Sequence, residues 1–195
     1  MLTLRDAVRT SRPLLWLNTA ALWVIALIAL DQPPGAADLF LILYFTLPFN
    51  LWLHGINDLY DYESDLLNPR KGGAEGALLP VAFHPALRRT ILAWNAPFWL
   101  ALLVGREWAA LLLLASFLFL GWAYSAPPLR AKSRPLIDTL LNTAYLFPFL
   151  IALTWHHAPL ALWRALLPGI LAFAVWNMAS HAFTAIQDID ADRTA

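Results

Sequence analysis

Apolar residues along the chain gather into six long runs, and charged residues fall almost wholly between them. The runs are Pro13–Leu30, Ala37–Ile56, Pro85–Val104, Trp108–Tyr124, Leu136–Trp155 and Leu160–Ile186. A helix needs about 20 mostly apolar residues to cross a bilayer, and each run comes close. The many segments of alternating polarity that an outer-membrane barrel requires are not found. Helix is then the state that satisfies its own backbone in lipid. The pattern predicts an all-α, polytopic transmembrane helix bundle forming a single domain, with about six helices. Asn95 and Pro97 interrupt the third run and predict a kink there. The first run does not read as a signal peptide, because no small-residue cleavage site follows it.

Composition supports the membrane assignment and narrows the function. Hydrophobic residues make up 60% of the 195 residues and charged residues 13%, with a mean hydropathy of +0.59. A soluble domain has roughly 45–50% apolar and about 25% charged residues. Disorder is excluded on the same ground, and the lack of cysteine excludes a disulfide scaffold. A formal net charge of +0 gives no field for nucleic acid. The distribution of charge says more. Of 13 Lys and Arg, all but Arg106 and Arg164 fall on one side of a six-span arrangement. The positive-inside rule places that side, with the N-terminus, in the cytoplasm.

Two acidic clusters share this side. Asn57-Asp58-Leu59-Tyr60-Asp61-Tyr62-Glu63-Ser64-Asp65 ends the second run, and Asp188-Ile189-Asp190-Ala191-Asp192 ends the sixth. On a helix, Asn50, His54, Asn57, Asp58, Asp61 and Asp65 share an arc of about 100°, and Asn177, His181, Thr184, Asp188 and Asp192 one of about 80°. Glu63 and Asp190 lie off these stripes. A lone Asp at a helix end is more often merely solvated. Five carboxylates in two facing rows would repel unless a cation lay between them. Mg2+ fits, since it takes oxygen ligands and is usually held by one or two carboxylates plus substrate phosphates. His54 and His181 read as polar lining, with no zinc-type ligand set around them.

Basic residues lie close by, in Asn68-Pro69-Arg70-Lys71-Gly72-Gly73 and in the loop from Tyr124 through Arg130, Lys132 and Arg134. Their plainest role is to fix topology. Beside a metal and carboxylates, they also suit a diphosphate and its departure. A diphosphate whose tail lies in a membrane is a prenyl diphosphate. Aromatic faces in a helical bundle would suit an allylic cation. Neither a P-loop nor a G-x-S-x-G motif is present.

The motif Asn57-Asp58-x-x-Asp61-x-x-x-Asp65, the second motif Asp188-x-x-x-Asp192, the Tyr124…Arg130…Lys132 loop and Ser11-Arg12-Pro13 together resemble the UbiA superfamily of intramembrane prenyltransferases. Within it, the stretches from Asp61 to Gly73 and from Ser180 to Arg193 are most similar to carotenoid-modifying members such as lycopene elongases. The resemblance implies that Asp58, Asp61, Asp65, Asp188 and Asp192 bind Mg2+ and diphosphate. It implies that Asn57 orients the first row, that Arg70, Lys71, Arg130, Lys132 and Arg134 face the diphosphate, and that Tyr124 sits by the reacting carbon. Asn50 and His181 are expected to contact substrate. The implied partners are a prenyl diphosphate, a lipophilic acceptor (a carotenoid such as lycopene first, an aromatic ring or quinone precursor next) and the lipid bilayer of a bacterial or archaeal cell. Members of the superfamily usually have nine membrane helices, so the resemblance also implies that about three C-terminal helices are missing. The competing readings are a non-catalytic truncated membrane protein and a cation transporter or channel. The latter would favour acidic groups deep in the bilayer.

Overall fold

The described residues of this computed structural model are 2–67, 71–72, 76–105 and 107–192, with only the backbone described for 185–192. Among these residues ten α-helices run in chain order: α1 Leu4–Thr10, α2 Ala20–Ala29, α3 Ala36–Tyr44, α4 Leu47–Tyr60, α5 Tyr62–Asp65, α6 His84–Gly105, α7 Trp108–Ser125, α8 Pro135–Leu141, α9 Phe147–Trp155 and α10 Leu160–Asp192. Among the described residues there is no strand.

All six apolar runs are helical, but proline divides several of them. Pro13, Pro48, Pro135 and Pro148 each stand in the first turn of an element, where a missing N–H costs nothing. Within a longer run the same residue interrupts the ladder. The second run therefore bends at Thr46 into α3 and α4. The fifth passes from α8 through a 3-10 turn at Asn142–Leu146 into α9. Lipid offers a freed carbonyl no partner, so side chains supply one at the α3–α4 break. Phe45 O accepts from Thr19 Oγ1 at 2.6 Å and from Asn50 Nδ2 at 2.8 Å. Thr46 O accepts from Asn50 Nδ2 at 2.7 Å.

Among the described residues, four stretches are long and apolar enough to span a membrane: Ala36–Tyr60, Trp108–Ser125, Pro135–Trp155 and Leu160–Thr184. A fifth joins Leu4–Thr10 to Pro13–Ala29 across a 54° bend. The chain is thus a multi-pass integral membrane protein. The third run does form a 22-residue helix, α6, with Pro97 inside it. It is less apolar than the others because Arg88, Arg89 and Asn95 lie within it. Asn95 is fully buried and donates to Pro48 O at 2.8 Å and Ile91 O at 2.9 Å, which ties α6 to the start of α4.

The core is aromatic. Phe49 of α4 lies 4.6 Å from Phe117 of α7, and Phe117 lies 5.2 Å from Phe147 of α9. Gly121 lets α7 close on α4, since a Cβ there would stand 2.7 Å from Leu53 and 2.9 Å from Trp52. At the far end of the Ala36–Tyr60 span from the acidic motif, buried Asp38 fastens three elements. Its Oδ1 accepts from Trp23 Nε1 at 3.0 Å and from His156 Nε2 at 2.8 Å, and its Oδ2 accepts from Gly35 N at 2.9 Å. Leaving a buried hydrogen-bonding group without its partner costs about 1–3 kcal/mol. Asp38→Ala is expected to destabilise the detergent-solubilised protein by about that much, read as a lowered thermal midpoint. An unchanged midpoint would show that the node does not hold the helices.

Candidate functional site

The site forms where three elements deliver cations to the end of α4. Asp58 and Asp61 are buried, and so is Asp65 on the single turn of α5. The helix breaks at Asp61, yet the row continues because Asp65 N donates to Asp61 O at 2.8 Å. Lys71 Nζ lies 3.0 Å from Asp58 Oδ1 and 2.7 Å from Asp65 Oδ2, bridging the two ends of the row. Lys132, in the 3-10 turn after α7, lies 2.5 Å from Asp61 Oδ1. Arg12 reaches Asp58 Oδ1 at 2.7 Å and Asn57 Oδ1 at 3.3 Å.

Asn57 binds the row together. Its Nδ2 donates to Asp61 Oδ2 at 2.5 Å and to Ser125 Oγ, at the end of α7, at 3.0 Å. Arg12 is aimed by its backbone. With φ 51 it occupies the left-handed region just before Pro13, where proline disfavours the helical region for the residue before it. Gly76, at φ +114, allows the returning loop to lie over the pair. A Cβ there would stand 3.1 Å from Arg12 Nε and 3.4 Å from Asp58 Oδ2. Burial raises the Asp65 pKa above its ordinary value. Lys71 opposes this, and the charges of Asp58 and Asp61 add to it.

A cavity of about 230 Å³ opens beside this cluster. Arg12, His54 and Asn57 line its polar end; Leu15, Leu53, Phe117, Leu120 and Leu141 give it apolar walls. Tyr124, Asn142, Tyr145 and His181 complete the lining. His181 Nε2 lies 2.8 Å from Asp138 Oδ2, and Asn142 Nδ2 donates to Asn177 O at 3.0 Å, so α10 closes one side of the cavity against α8 and the turn after it.

The structure therefore brings Asn57, Asp58, Asp61, Asp65, Lys71 and Lys132 together, with Tyr124 and His181 on the cavity wall. Arg130 and Arg134 are exposed. Asn50 is fully buried and does not line the cavity; its amide holds the α3–α4 break. Arg70 lies outside the described residues. Asp188 and Asp192 lie on the α10 backbone, with their side chains outside the described residues. Arg12, Asp138 and Tyr145 were not singled out as site residues by sequence. For Arg12 the signal lay in Ser11-Arg12-Pro13, an arginine held by the proline after it. Asp138 and Tyr145 carried no local signal.

Among the described residues no three acidic or histidine side chains close on a single point as a metal site. The donors are nonetheless carboxylate oxygens, and Asp58 Oδ2 is buried with no hydrogen-bond partner among the described residues. Such a set suits an ion that completes its shell with phosphate oxygens and water.

Comparison with protein-family models matches residues 17–195 to the UbiA prenyltransferase family. The chain belongs to that family. A lycopene elongase/hydratase of Corynebacterium glutamicum is 40% identical over 192 residues, covering 95% of this chain and 64% of that protein. The C(50) beta-cyclic carotenoids biosynthesis protein of a Dietzia species is 37% identical over 186 residues, or 95% of this chain and 43% of that one. A lycopene elongase/hydratase of Halobacterium salinarum is 35% identical over 195 residues, or 95% and 66%. This UbiA-family chain thus spans 64% of the length of the Corynebacterium protein. No solved structure matches it.

Proposed function

We propose that this UbiA-family protein transfers a prenyl group from an allylic prenyl diphosphate to a lipophilic acceptor within the membrane. A carotenoid such as lycopene is the favoured acceptor, given what its relatives are named for, with an aromatic ring or quinone precursor next. The observation that carries the reading is the interleaving of three buried carboxylates with Arg12, Lys71 and Lys132 at the polar end of an apolar-walled cavity.

Asp58, Asp61 and Asp65, with Asp188 and Asp192, would hold Mg2+, which when bound neutralises charge on the diphosphate as it leaves. Arg12, Lys71 and Lys132 supply fixed positive charge to the same oxygens. The apolar walls take the prenyl tail and exclude water from the cation formed when the allylic C–O bond breaks. The faces of Phe117, Tyr124 and Tyr145 support that cation. The Lys and Arg distribution supports a cytoplasmic site. Asp58, Asp61 and Asp65 stand at the end of the Ala36–Tyr60 span and just past it, whereas a cation path favours acidic groups deep in the bilayer.

The test uses membranes holding the full-length protein, labelled dimethylallyl diphosphate and lycopene. Label is expected to move into the carotenoid fraction, to stop with EDTA and to return with excess Mg2+. Transfer to neither carotenoid nor aromatic acceptors would overturn the reading. So would cation flux in liposomes that needs no diphosphate.

A further inference from the structure

Prenyl transfer to an alkene ends with a cation on the acceptor, and some group must take up a proton. The first acidic row is poorly placed for this, because its carboxylates are committed to Arg12, Lys71 and Lys132. A separate pair joins α10 to α8, His181 and Asp138, 2.8 Å apart. His181 lines the cavity. It lies seven residues before Asp188, about 10 Å along the helix at 1.5 Å per residue. That is further into the apolar region than any diphosphate held by the motif.

Asp138 accepts the hydrogen on Nε2, which in a neutral imidazole leaves Nδ1 as the lone-pair nitrogen. The helix that carries the ring is tied at a second point. Asn177, one helical turn before His181, is tied to Asn142 across the same seam. An oriented imidazole with a carboxylate behind it is the arrangement by which a histidine takes a proton.

We propose that His181 is the proton acceptor that completes the reaction and that Asp138 positions it. The inference rests on the prenyltransferase reading above. The donor's C1–O bond breaks with its electron pair leaving on diphosphate. The acceptor's terminal C=C pair forms the new C–C bond and leaves the neighbouring acceptor carbon cationic. A C–H next to that carbon gives its proton to His181 Nδ1, and its electron pair becomes the new double bond. Where water reaches the cation instead, its oxygen forms a C–O bond and the same nitrogen takes the proton.

The experiment follows diphosphate release and carotenoid product together, in the full-length protein with dimethylallyl diphosphate and lycopene. In His181→Gln, release is expected to stay within threefold of wild type, while the coupled alkene falls at least tenfold relative to uncoupled prenyl alcohol. Asp138→Asn should shift the partition in the same direction but less. Free imidazole should restore alkene formation in His181→Ala, which a purely structural role would not allow. A thermal melt in detergent checks that each variant folds. The inference is overturned if His181→Gln leaves the partition unchanged, as it would if the departing diphosphate took the proton. It is equally overturned if release and coupling fall together without imidazole rescue. Should wild type release no diphosphate at all, the prenyltransferase reading fails, and this inference with it.

Discussion

Asp61→Ala is expected to lower kcat/KM for prenyl transfer by roughly 10²–10³, the range seen when one preorganised electrostatic contact is removed from an active site. Asp61 is the hub of the acidic row. Its Oδ1 faces Lys132 at 2.5 Å and its Oδ2 takes the Asn57 amide at 2.5 Å. Removing the carboxylate leaves Lys132 without a counter-charge and frees Asn57 from the orientation it shares with Ser125. Lys132 keeps 23% of its side chain exposed, so its charge can turn to water and the bundle should stay folded. Asp61→Asn separates charge from shape, because an amide oxygen can still accept from Asn57. If the charge serves cation binding, Asp61→Asn should be as inactive as Asp61→Ala and should need far more Mg2+ for any residual turnover. Activity above a tenth of wild type in Asp61→Asn, with an unchanged Mg2+ requirement, would remove the proposed metal role.

The spacing of Asn57, Asp58, Asp61 and Asp65 made this hub legible in the sequence, because helical period alone puts these residues on one side. The break of α4 at Asp61 did not spoil the expectation, since one backbone bond carries the turn through to Asp65. Apolar run lengths likewise gave the bundle. They did not give its breaks, which follow from where Pro48 and Pro148 stand within a run. Asn50 shows the consequence. By period it belongs to the polar stripe, but two residues after Pro48 its amide is the nearest donor for carbonyls left open in an apolar medium. Loop residues were harder to read. Lys132 and Arg134 are two positions apart, yet one meets Asp61 and the other is exposed, because a 3-10 turn at Ala131–Ser133 decides which way each faces. Asp138 and Asp38 find their histidines 43 and 118 residues away. No local pattern encodes such pairs, and only packing of distant helices brings them together.

Arg12 belongs with those non-local residues, and its replacement tests the site from the cationic side. Its guanidinium reaches Asp58 Oδ1 and Asn57 Oδ1 at once, its Nε is buried without a partner among the described residues, and it lines the polar end of the cavity. Asp58 Oδ1 is also held by Lys71 at 3.0 Å. Losing Arg12 therefore does not strand a buried carboxylate, and Arg12→Gln should fold. A hydrogen bond to a charged group is worth about 1.5–3 kcal/mol. At 1.4 kcal/mol per tenfold, the KM for the prenyl diphosphate should rise roughly tenfold to a hundredfold in Arg12→Gln. Arg12→Lys should recover only part of this, because a single ammonium cannot span two acceptors as the planar fork does. The salt dependence of diphosphate binding should flatten in Arg12→Gln and return in Arg12→Lys, since it follows charge rather than geometry. An unchanged KM in Arg12→Gln, with Lys71→Gln strongly impaired, would mean that the guanidinium serves only to pair Asp58 and that the diphosphate is gripped from the Lys71 side.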